Sequence, residues 1–564
     1  MLTHRREDVP DFARRWRSGP DAYSRVVRRG GMLSVAVACL LAAIVVPASA
    51  STSASTGRAK TPKPGGEVVW GLDAESPEGW CLPASQLAAA GIIVANAIYD
   101  PLVTLNSKGK YVPYLAESVT PNATFDQWTI KLRPGVKFHD GTALDADVVK
   151  LNLDSYRGAN PKINARLNSF VFSNVADVQV VDPLTVSVTT KTSWPAFPAL
   201  LFNGGRAGMV APAQLNDPTS CATNLIGTGP FEREEWRVNE RMVVTRNPNY
   251  WRTGYPLLDK ITFRPVPDSN VRLTQFQGGQ LDVMHTSSSD SIVALRADAK
   301  AGKATFYESS RGAEVAYLML NSSKPPFDDI LARKAVQYGR NTPEINEIRN
   351  RNIPQLATGP FGPGTMGYLK DSGVPKPNLK KAREYVAEYE AKHGSKPNYT
   401  YTSVNTPDNI AIAELVKEQA AKIGITVTIE PVDQATLINR ALAGDFQGMG
   451  FRNHAGGGDP DAQGVWWKTG SPVNFGRIKD PEIDRLLDAG RVELDPEKRV
   501  AIYEDLNRRF AEQAWNSWSW YTVWGLAAKP GVKGILGPPL PDGAGKPFPL
   551  LGGTVQVLGE SRTD

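Results

Sequence analysis

The chain has 564 residues, of which 41% are hydrophobic and 22% charged, the balance of a soluble globular protein too long for one small core. Its net charge is +6, but residues 1–50 alone carry eight Arg against four acids, so only +2 remains for the rest. A body that close to neutral has no polybasic face, which excludes nucleic acid as its natural partner.

The first element is apolar. Residues 32–46, MLSVAVACLLAAIVV, follow Arg28 and Arg29 and precede Pro47 and the small residues Ala48, Ser49 and Ala50. A basic flank, a short apolar stretch and a small-residue exit define a cleavable export signal, with cleavage expected after Ala50. The run is shorter than the roughly 20 residues that span a bilayer, although retention as an anchor is the alternative. The flank is long for a signal, so translation is expected to start near Val26 or Val27. Cys39 lies inside the apolar run, not at its end where a lipid-anchored cysteine belongs. Export leaves Cys81 and Cys221, an even number in an oxidising compartment. A disulfide between them is expected, with two separate buried thiols as the alternative.

Residues 51–65, STSASTGRAKTPKPG, form a flexible tether. The clearest periodicity comes later. Residues 398–404 alternate as a strand. Thr406 caps a helix with Pro407 at its first position, and Ile410, Ala413, Val416, Gln419, Ala420 and Ile423 recur at helical spacing until Gly424 ends it. A strand at 425–432, a helix at about 434–443 and a strand at about 446–452 follow. Strand–helix–strand–helix–strand predicts a parallel α/β lobe, whose ligands sit outside the carboxyl ends of the strands. The loop RNHAGGGDPD (452–461) begins where the last strand ends.

Catalytic constellations are not evident. His4, His139, His285, His393 and His454 stand singly, without the spacing of a zinc site, and no G-x-S-x-G elbow or phosphate loop is present. Asp459 and Asp461 are too few oxygens for calcium and are expected to form a turn. Neither metal nor cofactor is expected. Aromatic residues are more suggestive: Trp466 and Trp467 follow the glycine loop, and Trp515, Trp518, Trp520, Tyr521 and Trp524 crowd ten residues. Alternation puts Trp518, Trp520 and Thr522 on one strand face and Ser519 and Tyr521 on the other. Such walls suit ligands of varied shape.

Six segments, in order, resemble the solute-binding proteins of peptide and nickel ABC importers, extracellular family 5. They are IYDPLVTLNSKGKYVPYLAES (98–118), WTIKLRPGVKFHDGTALDADVVKLNL (128–153), GTGPFEREEWRVNERMVVTRNPNYW (227–251), LDKITFRPVPDSNVRLTQFQGGQLDVM (258–284), LMLNSSKPPFDDILARKAVQYGRN (318–341) and AKIGITVTIEPVDQATLINRALAGDFQGMGF (421–451). The resemblance implies an α/β fold: a two-lobed clamp of the periplasmic-binding-protein kind (type II), with an extra N-terminal subdomain and a hinge between the lobes. Residues 66–95, 225–300 and 525–564 would build lobe I, 96–224 the extra subdomain, and 301–524 lobe III. It also implies an extracytoplasmic, monomeric receptor that closes on a peptide or related solute and delivers it to ABC permease subunits in the membrane. A ligand sensor without transport is the alternative. A secreted hydrolase is a weaker one, since no nucleophile–base pair is visible.

Topology and resemblance together nominate Trp70, Leu72, Asn453, His454, Gly456, Gly457, Gly458, Trp466, Trp467, Trp520 and Tyr521 as ligand contacts. Peptide binders of the family carry an aspartate ahead of the DPD turn and, for dipeptides, an arginine ahead of the helix at Pro407. Here Gly456 and Ser403 or Val404 occupy those places. A buried ammonium without its counter-charge costs several kcal/mol, so the ligand is expected to lack a free amine at Gly456. Arg452 and His454 nearby favour a neutral or anionic group instead.

Overall fold

The computed structural model describes residues 64–563 except 77–78, 86, 313 and 454–458. The export signal, Cys39 and most of the tether lie outside the described residues, as do His454, Gly456, Gly457 and Gly458. Among the described residues no helix is long and apolar enough to cross a membrane.

The expected α/β run is present. Tyr399–Val404, Pro407–Ala421, Val427–Val432, Gln434–Ala443 and Gly448–Asn453 alternate as strand and helix. Thr406 caps the first helix by accepting from the Asn409 amide, and Gly424 turns the chain out of it at φ +84°. Tyr399–Val404 pairs in parallel with both neighbouring strands. The sheet is completed antiparallel by Val315–Leu320 and Asn516–Tyr521. All six residues of Val315–Leu320 are buried. Val315, Tyr317 and Met319 enter one core, and Ala316, Leu318 and Leu320 enter another. The side-chain period of two thus splits one strand between two apolar layers.

The strand Asn516–Tyr521 departs from simple alternation. Ala316 opposes Trp520 while the next residue, Tyr317, opposes Trp518, so Ser519 is an inserted bulge residue. Trp518 and Tyr521 consequently share one core and Trp520 belongs to the other, which corrects the expected pairing of Trp518 with Trp520. Arg340 holds the bulge. Its Nη1 donates to the Ser517 carbonyl at 3.0 Å and its Nη2 to Ser519 Oγ at 2.8 Å.

The larger sheet has seven strands, in the order Thr305–Ser309, Trp524–Ala528, Val283–Thr286, Glu67–Leu72, Lys260–Pro265, Arg241–Arg246 and Phe231–Arg237. Glu67–Leu72 is parallel to both its neighbours. Thr305–Ser309 belongs to this sheet although the sequence places residues 301–524 together. The helix Ser289–Lys300 ends in a turn at Gly302 (φ +70°), which returns the chain to the same sheet. A four-stranded antiparallel sheet, Ala116–Pro121, Gln127–Leu132, Thr185–Thr190 and Val175–Asp182, forms the extra subdomain. Its core is continuous with that of the large sheet.

Cys81 and Cys221 are bonded, with Cα atoms 5.0 Å apart. The Trp80 amide donates to the Ala222 carbonyl beside the bridge. Replacing both cysteines by serine should lower stability by about 2–4 kcal/mol, read as a lower unfolding midpoint that reductant no longer changes.

Glu560, near the C-terminus, is fully buried. Its Oε1 accepts from Trp70 Nε1 at 2.9 Å, while Oε2 has no partner among the described residues. Burial pushes its carboxyl up to about 8, against the Trp70 hydrogen bond. Between about pH 4.5 and 8 the folded chain keeps a proton that the unfolded chain has lost, so this group makes stability fall as pH rises through that window. Glu560→Gln should remove that part of the fall, measured as the difference in denaturant midpoints at pH 5 and pH 8.

Candidate functional site

The carboxyl ends of the parallel strands in the two large sheets face each other, where such folds bind ligands. Polar contacts cross between them. Arg452 Nη1 donates to Ser287 Oγ at 2.9 Å, Ser269 Oγ to Asp408 Oδ2 at 3.1 Å, and Arg351 Nε to Asp290 Oδ1 at 2.7 Å. The chain passes between the sheets twice, after Ser309 and after Tyr521. The two passages run side by side, because the Thr522 amide donates to the Glu314 carbonyl at 2.9 Å.

Charged groups converge at this crossing. Glu314 is buried, and its Oε2 accepts from Trp524 Nε1 at 3.1 Å and lies 3.7 Å from Arg452 Nη1. Burial raises its pKa, and Asp73 adds to the rise, against Arg452, the Trp524 hydrogen bond and Arg206. The Arg452 guanidinium also covers the Trp524 ring at 5.3 Å. Asp73 follows the first strand of the large sheet. Burial works to raise its pKa, but His285, Arg272 and Arg452 hold the carboxyl well below the usual range. His285 Nε2 lies 3.1 Å from both the Asp73 amide nitrogen and Asp73 Oδ1, and Nδ1 lies 3.2 Å from the Gly553 carbonyl oxygen. Its ring stacks on Trp524 at 5.2 Å. Arg206 arrives from the extra subdomain. Its Nε donates to the Leu87 carbonyl at 2.9 Å, and burial lowers its pKa to about 10 against the pull of Glu314.

An aromatic layer lies under the last strand. Tyr317 OH donates to Asn453 Oδ1 at 2.8 Å, and its ring centroid is 5.2 Å from Trp518 and 6.0 Å from Trp467. Phe510 closes the group, 5.0 Å from Trp467. Among the described residues, Asn453 Nδ2, Trp467 Nε1 and Trp518 Nε1 of this layer are buried donors without a protein acceptor. Each such orphan costs about 1–3 kcal/mol.

The nominated residues therefore separate. Asn453 and Trp467 come together, and Trp466 packs at their edge against Phe475. Leu72 is buried, one residue before Asp73. Trp70 is a core residue instead of a wall: it has no exposed surface and its N–H is taken by Glu560. Trp520 lies on the opposite face of its sheet from Asn453's aromatic layer. The Tyr521 hydroxyl donates to the Phe361 carbonyl at 2.7 Å. Sequence reasoning missed Asp73, Arg206, Glu314 and Trp524 as a group, because they come from four distant segments and no spacing connects them.

Asp459 and Asp461 form the expected turn, with Asp459 Oδ1 accepting from the Asp461 amide at 2.9 Å. They are also consumed as ion pairs. Arg499 holds Asp459 through two bonds of 2.8 Å, and Arg491 Nε donates to Asp461 Oδ1 at 2.9 Å. Trp194 of the extra subdomain donates its indole N–H to Asp461 Oδ2 at 2.6 Å, under the Arg491 guanidinium at 5.3 Å. The extra subdomain thus grips the turn that ends the glycine loop. Among the described residues no group of His, Cys, Asp and Glu could hold a metal ion.

The family model for bacterial extracellular solute-binding proteins, family 5 Middle, matches residues 110–475. This chain belongs to that family. The glutathione-binding protein GsiB of Shigella boydii serotype 4 is 30% identical over 342 residues, which cover 60% of this chain. The chain spans 65% of the length of that relative. Two solved structures have the same fold. AgaA of A. tumefaciens R10, in complex with agropinic acid, has a TM-score of 0.78 at 23% identity, covering 88% of this chain and 99% of that one. DppA of Helicobacter pylori, in complex with the peptide STSA, has a TM-score of 0.78 at 21% identity, covering 89% and 99%. The architecture of this family 5 member is accordingly the two-lobed α/β clamp.

The Trp194–Asp461–Arg491 contact gives a graded expectation. Trp194→Phe removes one hydrogen bond to a charged group and should cost about 2 kcal/mol. Asp461→Asn leaves Arg491 without its counter-charge and should cost more, about 3 kcal/mol. Both should speed amide exchange in residues 459–467, and the second should do so more strongly.

Proposed function

We propose that the protein is the extracytoplasmic solute receptor of an ABC importer. It holds a peptide-like solute between its two lobes and presents the closed form to membrane permease subunits. In this reading residues 66–95, 225–309 and 524–564 make the first lobe, 96–224 the extra subdomain and 310–523 the second large lobe. The two passages between the sheets serve as the hinge.

The observation that carries the solute class is the set of orphan donors. Asn453 Nδ2, Trp467 Nε1 and Trp518 Nε1 are buried donors inside an aromatic layer at the carboxyl end of a strand. They suit a solute rich in carbonyl oxygens, and the aromatic faces supply contact area with little side-chain entropy to lose. His454, Gly456, Gly457 and Gly458, which directly follow Asn453 in sequence, remain candidate contacts. The GsiB relative and the DppA neighbour are named for, or seen with, peptide-like ligands, which supports the same class.

Native mass spectrometry of protein purified from its own host tests the reading. The expected result is a monomer carrying one small amide-containing solute. A dominant free dipeptide would contradict the argument from Gly456 and Ser403. Turnover of a peptide library by the purified protein would replace the receptor role with hydrolysis.

A further inference from the structure

We propose that Trp194 is a positioning residue of the receptor: its bond to Asp461 latches the extra subdomain onto the DPD turn only while the lobes are closed, and opening breaks it. The inference rests on the solute-receptor reading and gives the extra subdomain a part in closure. Side chains of the subdomain reach the second large lobe at one place. Trp194 Nε1 donates to Asp461 Oδ2 at 2.6 Å. The Tyr111 hydroxyl is hydrogen-bonded to the Asp459 backbone. Leu167 packs against the apolar core that holds Trp467 and Trp518. On its other side the subdomain shares one continuous core with the large sheet. Parting that core would put large apolar side chains in water, whereas parting the subdomain from the turn breaks hydrogen bonds that water can replace. The subdomain therefore travels with the first lobe, and the boundary at Asp461 is the one that opens.

The contact is built to be released. Asp461 is 6% exposed, and its second oxygen, Oδ1, accepts from Arg491 Nε at 2.9 Å. The Arg491 guanidinium lies 5.3 Å from the Trp194 ring. The indole thus serves the carboxylate through its N–H and the guanidinium through its face. Arg491 and Asp461 belong to the same lobe, so their ion pair survives opening and only the indole is exchanged for water. No buried charge is stranded when the latch parts. A hydrogen bond to a carboxylate is stronger than one between neutral groups, and its loss should shift the closing equilibrium about tenfold or more. The same segment reaches the solute. Pro460–Gln463 is a tight helical turn that runs straight into Gly464–Trp467, and the Trp467 indole is a proposed solute donor. Latch and solute therefore act on one stretch of chain and favour the same closed form.

The test needs no solute. Ser269 Oγ donates to Asp408 Oδ2 at 3.1 Å across the lobes, so Ser269→Cys with Asp408→Cys sets two thiols where the lobes meet. The rate at which dipyridyl disulfide joins those thiols reports how often the lobes close. Adding Trp194→Phe should slow the joining about threefold or more, with a circular dichroism spectrum like that of its parent. Where that variant does not fold, Tyr111→Phe, which loses only the hydroxyl on the turn, should slow the joining in the same direction. A slower joining in a folded variant supports the latch, because a contact that is merely structural would leave the rate alone. An unchanged or faster rate overturns the latch whichever way the melting temperature moves. The contact is then a permanent part of the fold, and the receptor reading stands. Thiols that fail to join in the folded parent, with Trp194 intact, remove the closed form and sink the receptor reading together with the latch.

Discussion

A carboxylate buried where the chain passes between two sheets is the constraint around which this molecule is arranged. Glu314 sits on one passage and Trp524 ends the other, and the indole N–H of the second meets the acid of the first. Taking that acid out of water costs several kcal/mol, and the surroundings offset it with one hydrogen bond and the nearby Arg452. Because Arg452 also reaches Ser287 of the other sheet, the same group that compensates the buried acid spans the space between lobes. In the proposed reading, hinge and ligand crevice form one electrostatic unit.

The direct contacts between lobes are few and partly exposed. Arg351 and Asp290 have side chains 61% and 47% exposed, and pairs of that kind contribute between about 0 and 1 kcal/mol. In the proposed receptor role, such contacts would leave the balance between open and closed forms to the solute, which shifts it only by binding one form better. The extra subdomain contributes differently. Its core is continuous with that of the first lobe, while Trp194 reaches the DPD turn of the second. A turn read from sequence as a simple loop former is in the fold a junction of three segments, held by Arg491, Arg499 and an indole.

Much of the architecture was legible because it rests on local periodicity. The helix from Pro407 and the strands around it follow from a capping threonine, a terminating glycine and apolar spacing. The disulfide followed from cysteine count and compartment. Alternation failed at Ser519, where a buried arginine from a distant helix end stabilises an inserted residue that no pattern announces. Trp70 looked like a wall because it lies near the end of the first strand, yet an acid 490 residues later takes its N–H. The charged cluster was illegible for the same reason: Asp73, Arg206, Glu314 and Arg452 meet only through the fold. Gly456, the missing carboxylate that the sequence drew attention to, follows the strand whose partner strand begins one residue after Glu314.

The most direct test of the account is a crystal structure of the protein with the solute it carries from its own host. The account predicts solute oxygens within hydrogen-bond reach of Asn453 Nδ2 and the Trp467 indole. Solute bound outside the space between the two lobes, or bound there with Asn453 and Trp467 untouched, would contradict it.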